Sequence, residues 1–213
     1  MLIAACAAAA VIVSVTGMFA YLTNYTDPVT NTFVVGKLLD DPLDFILKEH
    51  EANDDDLDGV YVLGTNEVDG KEYTVLPGVD LPKDPFVKTA EALKLDAYVF
   101  IEVVDETGSN VHFTVDTDKW TALTGKTEPN GGQVYVMKAN GGIAEAGAKL
   151  GPISILKANS AGKEITVDNA VITDAASQFS GKLTFYGYMI QTGGFADYNA
   201  AWAGLCADSP AAG

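Results

Sequence analysis

Apolar residues fall in short segments along the chain, and turn-forming Gly and Asn residues separate these segments. The clearest segment spans residues 96–104 and is apolar at odd and even positions alike. Successive side chains of a strand point to opposite faces, so this segment predicts a strand that is buried on both sides. The expected faces are formed by Ala97, Val99, Ile101 and Val103 on one side and by Tyr98, Phe100 and Val104 on the other.

Other segments have the same strand-like composition. β-Branched and aromatic residues are concentrated at 31–38, 111–115, 133–138, 153–157, 164–167 and 182–191. The turn-forming residues 107–110 lie between the segments 96–104 and 111–115, so they predict a hairpin that joins these two strands. Helical signal is limited to one or two turns over 143–150 and a short helix over 196–205. That helix would place Tyr198, Trp202 and Leu205 on one side.

This succession of elements predicts the fold class. Many short strands joined by Gly- and Asn-rich turns are typical of sandwiches and jelly rolls. No linker-like segment and no internal repeat divides residues 21–213. We therefore expect a mostly β fold, a jelly-roll-like antiparallel β-sandwich with few short helices, formed by residues 21–213 as a single domain.

The first 20 residues are almost wholly apolar. Their length and hydrophobicity are typical of a signal peptide, and the alternative is a retained apolar anchor. Cleavage is expected between Ala20 and Tyr21. No Lys or Arg precedes the apolar run, which indicates a start codon further upstream or a trimmed sequence. We expect a secreted chain that contacts a membrane only through an uncleaved leader.

Charge narrows the classes of partner. The chain has 29 acidic residues against 13 basic ones, all of them Lys, and a formal net charge of -16. Nucleic acid and anionic lipid would repel such a chain, so neither is expected as a partner. The absence of Arg also argues against a nucleotide or organic-acid site, because Arg binds such groups with a bidentate fork.

Short motifs are spread over most of the chain. They are GMFAYLT and TNTFVVG near the start, YTVLPG and KDP in the middle, then DAYVF, and finally YGYMIQ followed by AAW. These motifs resemble segments of the TasA/camelysin family, bacterial proteins that are exported through a SipW-type signal peptidase. The chargeless leader and Met18, three residues before the expected cut, depart from the family pattern.

The resemblance implies a jelly-roll protein of the cell surface or biofilm matrix that assembles into filaments by strand donation. In that mode, the N-terminal strand freed by cleavage completes the sheet of the next subunit. Residues 21–38 are the candidate donor, with Asn31, Phe33 and Val35 as the candidate assembly residues. The implied partners are further copies of this chain, and the signal peptidase during export. The alternative is that 31–38 pairs within its own domain.

The same resemblance raises a second function, a camelysin-type metal-dependent peptidase. A zinc peptidase uses protein ligands that are often arranged as H-E-x-x-H on a helix. The only two His residues, His50 and His112, lie in separate segments, and neither has a second His at helical spacing. We therefore assign no catalytic residue and favour the structural function. A non-assembling surface adhesin is the third function considered.

An acidic loop is the strongest metal signal in the sequence. Residues 53–59 read NDDDLDG, which places Asp54, Asp56 and Asp58 at alternate positions before Gly59. Calcium prefers several hard oxygens in a short loop, so these three residues form a candidate calcium site. An EF-hand would need Glu at loop position 12, where Thr65 stands. The alternative is a solvated acidic loop, and no other cofactor is expected.

Two further features have competing interpretations. An exposed row of aromatic rings would bind sugars by stacking, and the residues considered for it are Trp120, Trp202, Tyr186 and Tyr188. The competing interpretation is that these rings belong to the core.

Cys206 would be the only cysteine left after cleavage, and its apolar neighbours predict a small buried residue rather than an intermolecular disulfide.

Overall fold

A computed structural model describes residues 23–25, 38–39, 41–54, 60–73, 76–126, 129–169 and 181–208. Strands β1 to β12 of the described part are Thr23–Tyr25, Phe45–Asn53, Val62–Val68, Phe86–Thr89, Ala97–Asp105, Val111–Phe113, Trp120–Ala122, Gln133–Met137, Ile143–Ala144, Ile153–Ser154, Ile165–Val167 and Leu183–Gln191. Short 3-10 turns lie at Pro42–Asp44 and Ala139–Gly142, and one helix, α1, spans Tyr198–Asp208.

The strands form three antiparallel sheets. The largest has the order β1-β12-β5-β8-β7, with β9 also paired to β5. The second has the order β10-β4-β2-β3, and β11 pairs with β6 in a two-stranded sheet. The fold is therefore mostly β and antiparallel with little helix, as the sequence predicts. The jelly-roll connectivity stays a prediction.

Strand β5 is the centre of the molecule. It pairs with β12 over nine positions, from Ala97↔Gln191 to Asp105↔Leu183, and with β8 on its other side. Its odd-numbered residues Ala97 to Val103 belong to a core shared with the second sheet. Tyr98 and Phe100 belong to a separate core on the opposite face. The prediction of a strand buried on both sides is confirmed.

Helix α1 covers the second face of the large sheet. The Trp202 ring lies 5.1 Å from the Phe100 ring and 5.1 Å from the Tyr188 ring, and Leu205 joins the same core. Asp197 stands before the helix and accepts a 2.8 Å hydrogen bond from the backbone N–H of Ala200, an N-terminal cap. The helix expected at 196–205 is confirmed, with its start at Tyr198.

Two local predictions are wrong. Strand β6 pairs with β11 rather than with β5, because β12, β8 and β9 occupy both edges of β5. The residues expected to be helical at 143–150 begin with β9, which pairs with Ala97 and Tyr98. Beyond β9, Gly147 has a φ of +80°, which a right-handed helix does not accommodate.

Four strands lack a clear sequence signal. Strand β2 reads FILKEHEAN, and only Phe45, Glu49 and Ala52 of it are buried. Strands β3, β4 and β7 are short or largely exposed. Charged residues interrupt the pattern of β2, and the other three strands are too short or too exposed to show one, so strand formation here depends on pairing with neighbours rather than on local pattern.

Candidate functional site

The N-terminal strand forms the edge of the large sheet. Strand β1 lies antiparallel to β12, with Thr23 opposite Ile190, Asn24 opposite Met189 and Tyr25 opposite Tyr188. It is the outermost strand in the described order of that sheet. An edge strand of three residues adds only a few backbone hydrogen bonds, so it depends on the strand that it joins.

Strand β12 is a rigid support for this edge. Its Met189 is fully buried in the core between the sheets, and Ile190 is buried on the opposite face towards α1. Fully burying such a side chain stabilises the fold by about 1.5–3 kcal/mol. The backbone that receives β1 is therefore fixed by packing on both faces of the sheet.

A buried carboxylate lies beneath this part of β12. Glu102 of β5 is 0% exposed, and no cation contacts it among the described residues. Its Oε1 accepts hydrogen bonds from the backbone N–H groups of Asn130 and Gly132, both at 2.9 Å. Its Oε2 accepts from the Asn130 side-chain amide at 2.9 Å and from the Tyr188 hydroxyl at 2.8 Å. Four hydrogen bonds satisfy the two carboxylate oxygens, which explains how this buried acidic side chain is tolerated.

This network ties a turn and two strands together. Gly132 is required in the turn because a Cβ atom at this position would lie 2.5 Å from the carbonyl oxygen of Val103. Burial, followed by the nearby Glu102 charge, raises the pKa of the Tyr188 phenol far above its ordinary value. The raised pKa favours the protonated hydroxyl, which is the form that donates to Glu102. Sequence reasoning missed Glu102, since a single Glu in an apolar strand gives no signal of its partners.

The structure describes little of the predicted assembly segment. Strand β1 lies within the candidate donor segment 21–38, so part of that segment does form a strand. The assembly residues Asn31, Phe33 and Val35 and the cleavage residues Ala20 and Tyr21 lie outside the described residues. The leader lies outside them too. Within the described ranges, no helix has the length and apolar character needed to cross a membrane.

The candidate calcium site is described at one position only. Asp54 follows β2, whereas Asp56 and Asp58 lie outside the described residues. In the part of the chain that is described, no group of three His, Cys, Asp or Glu side chains is placed to hold a metal ion. The calcium site therefore stays a prediction.

The two His residues are far apart in the topology. His50 lies in β2 of the second sheet, and its Nδ1 lies 2.6 Å from Oδ2 of Asp84. His112 lies in β6 of the two-stranded sheet, and its Nε2 lies 3.0 Å from Oδ2 of Asp168. Each imidazole thus has its own carboxylate partner, and the described residues bring the two rings to no shared site.

The aromatic residues considered for sugar stacking do not form an exposed row. Trp120 is 1% exposed and Trp202 is 0% exposed, and Tyr188 is also buried. The Trp120 Nε1 donates a 2.9 Å hydrogen bond to the carbonyl of Ser154, which fixes its ring inside the core. These rings hold the sheets and the helix together, so the sugar-stacking interpretation is wrong for them.

Cys206 lies partly buried on α1 and forms no disulfide with the described residues. It packs against the core that contains Trp202 and Leu205. Burial, and then the Glu102 charge, raises the pKa of the thiol above its ordinary value. This environment agrees with the expected small apolar role and disfavours the reactive thiolate.

Lys83 and Glu49 form a largely buried salt bridge between their side chains. Its Nζ donates a 2.6 Å hydrogen bond to Oε2 of Glu49, and its backbone N–H donates a 2.8 Å bond to Oε2 of Glu164. The Tyr73 ring lies 5.7 Å from Lys83 Nζ, and burial followed by the Glu49 charge raises the Tyr73 pKa. Burial also raises the pKa of Glu164. No pattern in the sequence indicates that these distant residues meet.

Comparison with known proteins identifies no relative of this chain. No protein-family model, no curated protein and no solved structure matches this chain.

Proposed function

We propose that this chain is an exported structural protein of the cell surface or biofilm matrix that assembles into filaments by donating its N-terminal strand. The observation that supports the proposal is the place of β1, a three-residue strand at the outer edge of the large sheet. The resemblance of the leader end and of the later motifs to the TasA/camelysin family supports it independently.

Exchange of β1 between copies would preserve its interactions. The same register on β12 can be filled by Thr23–Tyr25 of the same copy or of a neighbour, because the backbone hydrogen bonds are identical in both cases. Residues 26–37 link β1 to the buried Leu38, and a linker of this length reaches up to about 40 Å when extended. That reach is enough to place β1 on an adjoining subunit.

Leader removal would control the exchange. Before cleavage, the apolar residues 1–20 would hold the strand near a membrane, and cleavage at Ala20 would release it outside the cell. The net charge of -16 keeps released monomers apart, so the backbone pairing of β1 has to supply the association.

Electron microscopy of three preparations tests the proposal. The chain beginning at Tyr21 is expected to form ordered filaments, and the chain beginning after residue 38 is expected to remain monomeric. Adding a synthetic peptide of residues 21–38 to the shorter chain is expected to restore a soluble one-to-one complex, since the peptide fills the edge without linking subunits. Filaments of the shorter chain would exclude strand donation.

A further inference from the structure

A cleft opens between the two larger sheets at the end of β12 that is remote from β1. It encloses about 400 Å³, a volume typical of small-ligand sites. Strand β2, the loop after β3, the segment before β4 and the start of β12 form its walls. The residues lining it with charged side chains are Lys48, Glu49, Asp69, Lys71, Glu72, Lys83 and Lys182.

Glu49 lies in the wall of this cleft with half of its carboxylate unused. The side chain is 4% exposed, and Lys83 Nζ contacts its Oε2. Its Oε1 is buried, and the described residues offer it no hydrogen-bond donor. A charged acceptor left without a donor in the interior is unfavourable, so a ligand hydroxyl that reaches this atom would be bound favourably.

The cleft is also less acidic than the chain as a whole, because four Lys side chains line it beside the three carboxylates of Glu49, Asp69 and Glu72. Four of the chain's 13 Lys residues line it. Two of these are engaged, Lys83 with Glu49 and Lys48 with Asp69. Lys71 and Lys182 are exposed and form no salt bridge with the described residues. Two ammonium groups are therefore available for a negatively charged group.

We propose that this cleft binds a small carboxylate that also carries hydroxyl groups, of the uronic-acid class. A ligand hydroxyl would donate to Oε1 of Glu49, while the ligand carboxylate would lie against Lys71 and Lys182. A plain anion would leave Oε1 without a donor and would be repelled by Glu49. A neutral sugar would leave the two Lys residues without a counter-charge, and an amine would be repelled by them.

The cleft can bind the ligand carboxylate although it contains no Arg. Lys acts as a point charge and needs no bidentate geometry, so the argument against organic acids from the missing Arg does not apply to a site with several Lys residues. The apolar wall, which includes Phe185 and Leu183, would exclude water from the bond to Glu49 and strengthen it.

Nuclear magnetic resonance titration of the isotope-labelled full chain tests the proposal with three probes. Glucuronate carries both groups, glucose carries only hydroxyls, and acetate carries only the carboxylate. Glucuronate is expected to shift the amide signals of the cleft residues and to bind about tenfold more tightly than either control. Absence of shifts in the cleft, or equal binding of acetate or glucose, would overturn the proposal.

Matched variants locate the interaction. The double substitution Lys71→Ala, Lys182→Ala is expected to weaken glucuronate binding about fivefold, whereas Lys149→Ala, at another exposed Lys outside the cleft, leaves it unchanged. Glu49→Gln is expected to weaken it about tenfold, because the charged acceptor is lost. Because the Lys pair is exposed, that variant is expected to fold even where Glu49→Gln does not. Equal binding by the Lys pair variant and by Lys149→Ala would refute the site.

Discussion

The hydroxyl of Tyr188 donates a 2.8 Å hydrogen bond to the buried Oε2 of Glu102. The two residues lie on neighbouring strands of the large sheet, β12 and β5, and are diagonal to each other, since Glu102 is opposite Tyr186. Their bond therefore fixes β12 to the central strand on the face that α1 covers. It also stabilises the strand that receives β1.

Removing this hydroxyl tests how much the buried network stabilises the fold. Tyr188→Phe is expected to lower the free energy of unfolding by about 1.5–3 kcal/mol, because a charged acceptor loses a donor. Glu102→Gln is expected to cost more than Tyr188→Phe, because an amide N–H would then face other donors. Urea unfolding measures both values.

Tyr135→Phe is the control for this pair. Tyr135 is half-buried, and its hydroxyl makes no hydrogen bond with the described residues. Its loss is expected to change the unfolding free energy by less than about 0.5 kcal/mol. If Tyr188→Phe is no more destabilising than Tyr135→Phe, the Glu102 network is not a major source of stability.

Proline substitutions in β1 test strand donation without deleting the segment. Along an antiparallel edge strand, the backbone N–H groups point alternately towards the partner strand and towards the solvent. Thr23→Pro with Tyr25→Pro alters one set, and Asn24→Pro alters the other. One variant removes hydrogen bonds to β12 and is expected to abolish filaments seen by electron microscopy, while the other is its control. Filaments of unchanged yield in both variants would contradict the role of β1.

The pKa of Glu164 predicts a pH-dependent effect on stability. Burial raises this pKa above the ordinary value of 4.5, so the folded state binds the proton more tightly than the unfolded state. Stability is therefore lost as the pH rises through 4.5 towards the folded-state pKa, and the loss is complete above it. Glu164→Gln removes the charge and keeps an acceptor for the Lys83 N–H.

Thermal unfolding as a function of pH measures this effect. Glu164→Gln is expected to be more stable than the unmodified protein at about pH 7, by less than about 1 kcal/mol because the group is only half-buried. The difference should disappear in acid, where both side chains are neutral. Glu91→Gln, which makes the same substitution at an exposed position, is the matched control. A Glu164→Gln variant that is less stable near neutral pH would show that the charge is favourable.

Calcium binding by the acidic loop predicts a shift in melting temperature. Added calcium is expected to raise it by several degrees at about millimolar concentration, which is typical of extracellular sites. The double substitution Asp54→Ala, Asp56→Ala is expected to remove the shift. Magnesium serves as the control cation, and an unmodified protein that does not respond to calcium would exclude the site.

The raised pKa of Cys206 predicts slow alkylation. The thiolate is the reacting species, so iodoacetamide at about pH 8 is expected to modify Cys206 several-fold more slowly than an exposed thiol. The matched control is Ala203→Cys with Cys206→Ser, which moves the thiol to an exposed position of the same helix. Equal rates in mass spectrometry would contradict the buried role of Cys206.

The sequence by itself determined the elements whose hydrophobic pattern is clear along their whole length. Residues 96–104 are apolar on both faces, and any pairing that buries both faces makes them a central strand. The alternation in β12 and the Ala-rich segment of α1 are local patterns of the same kind, so both elements were predicted to within a few residues.

Only the tertiary structure decided which strands pair and which charges meet. The pairing of β6 with β11 joins strands that are distant in sequence, and β2 and β3 form by pairing with each other although neither has a clear pattern of its own. Glu102 meets Asn130, and Glu49 meets Lys83, only because the sheets bring these residues together. A hydrophobic pattern selects the face of a strand that is buried, but it carries no information about its partner strand or about the donors that will reach a buried carboxylate.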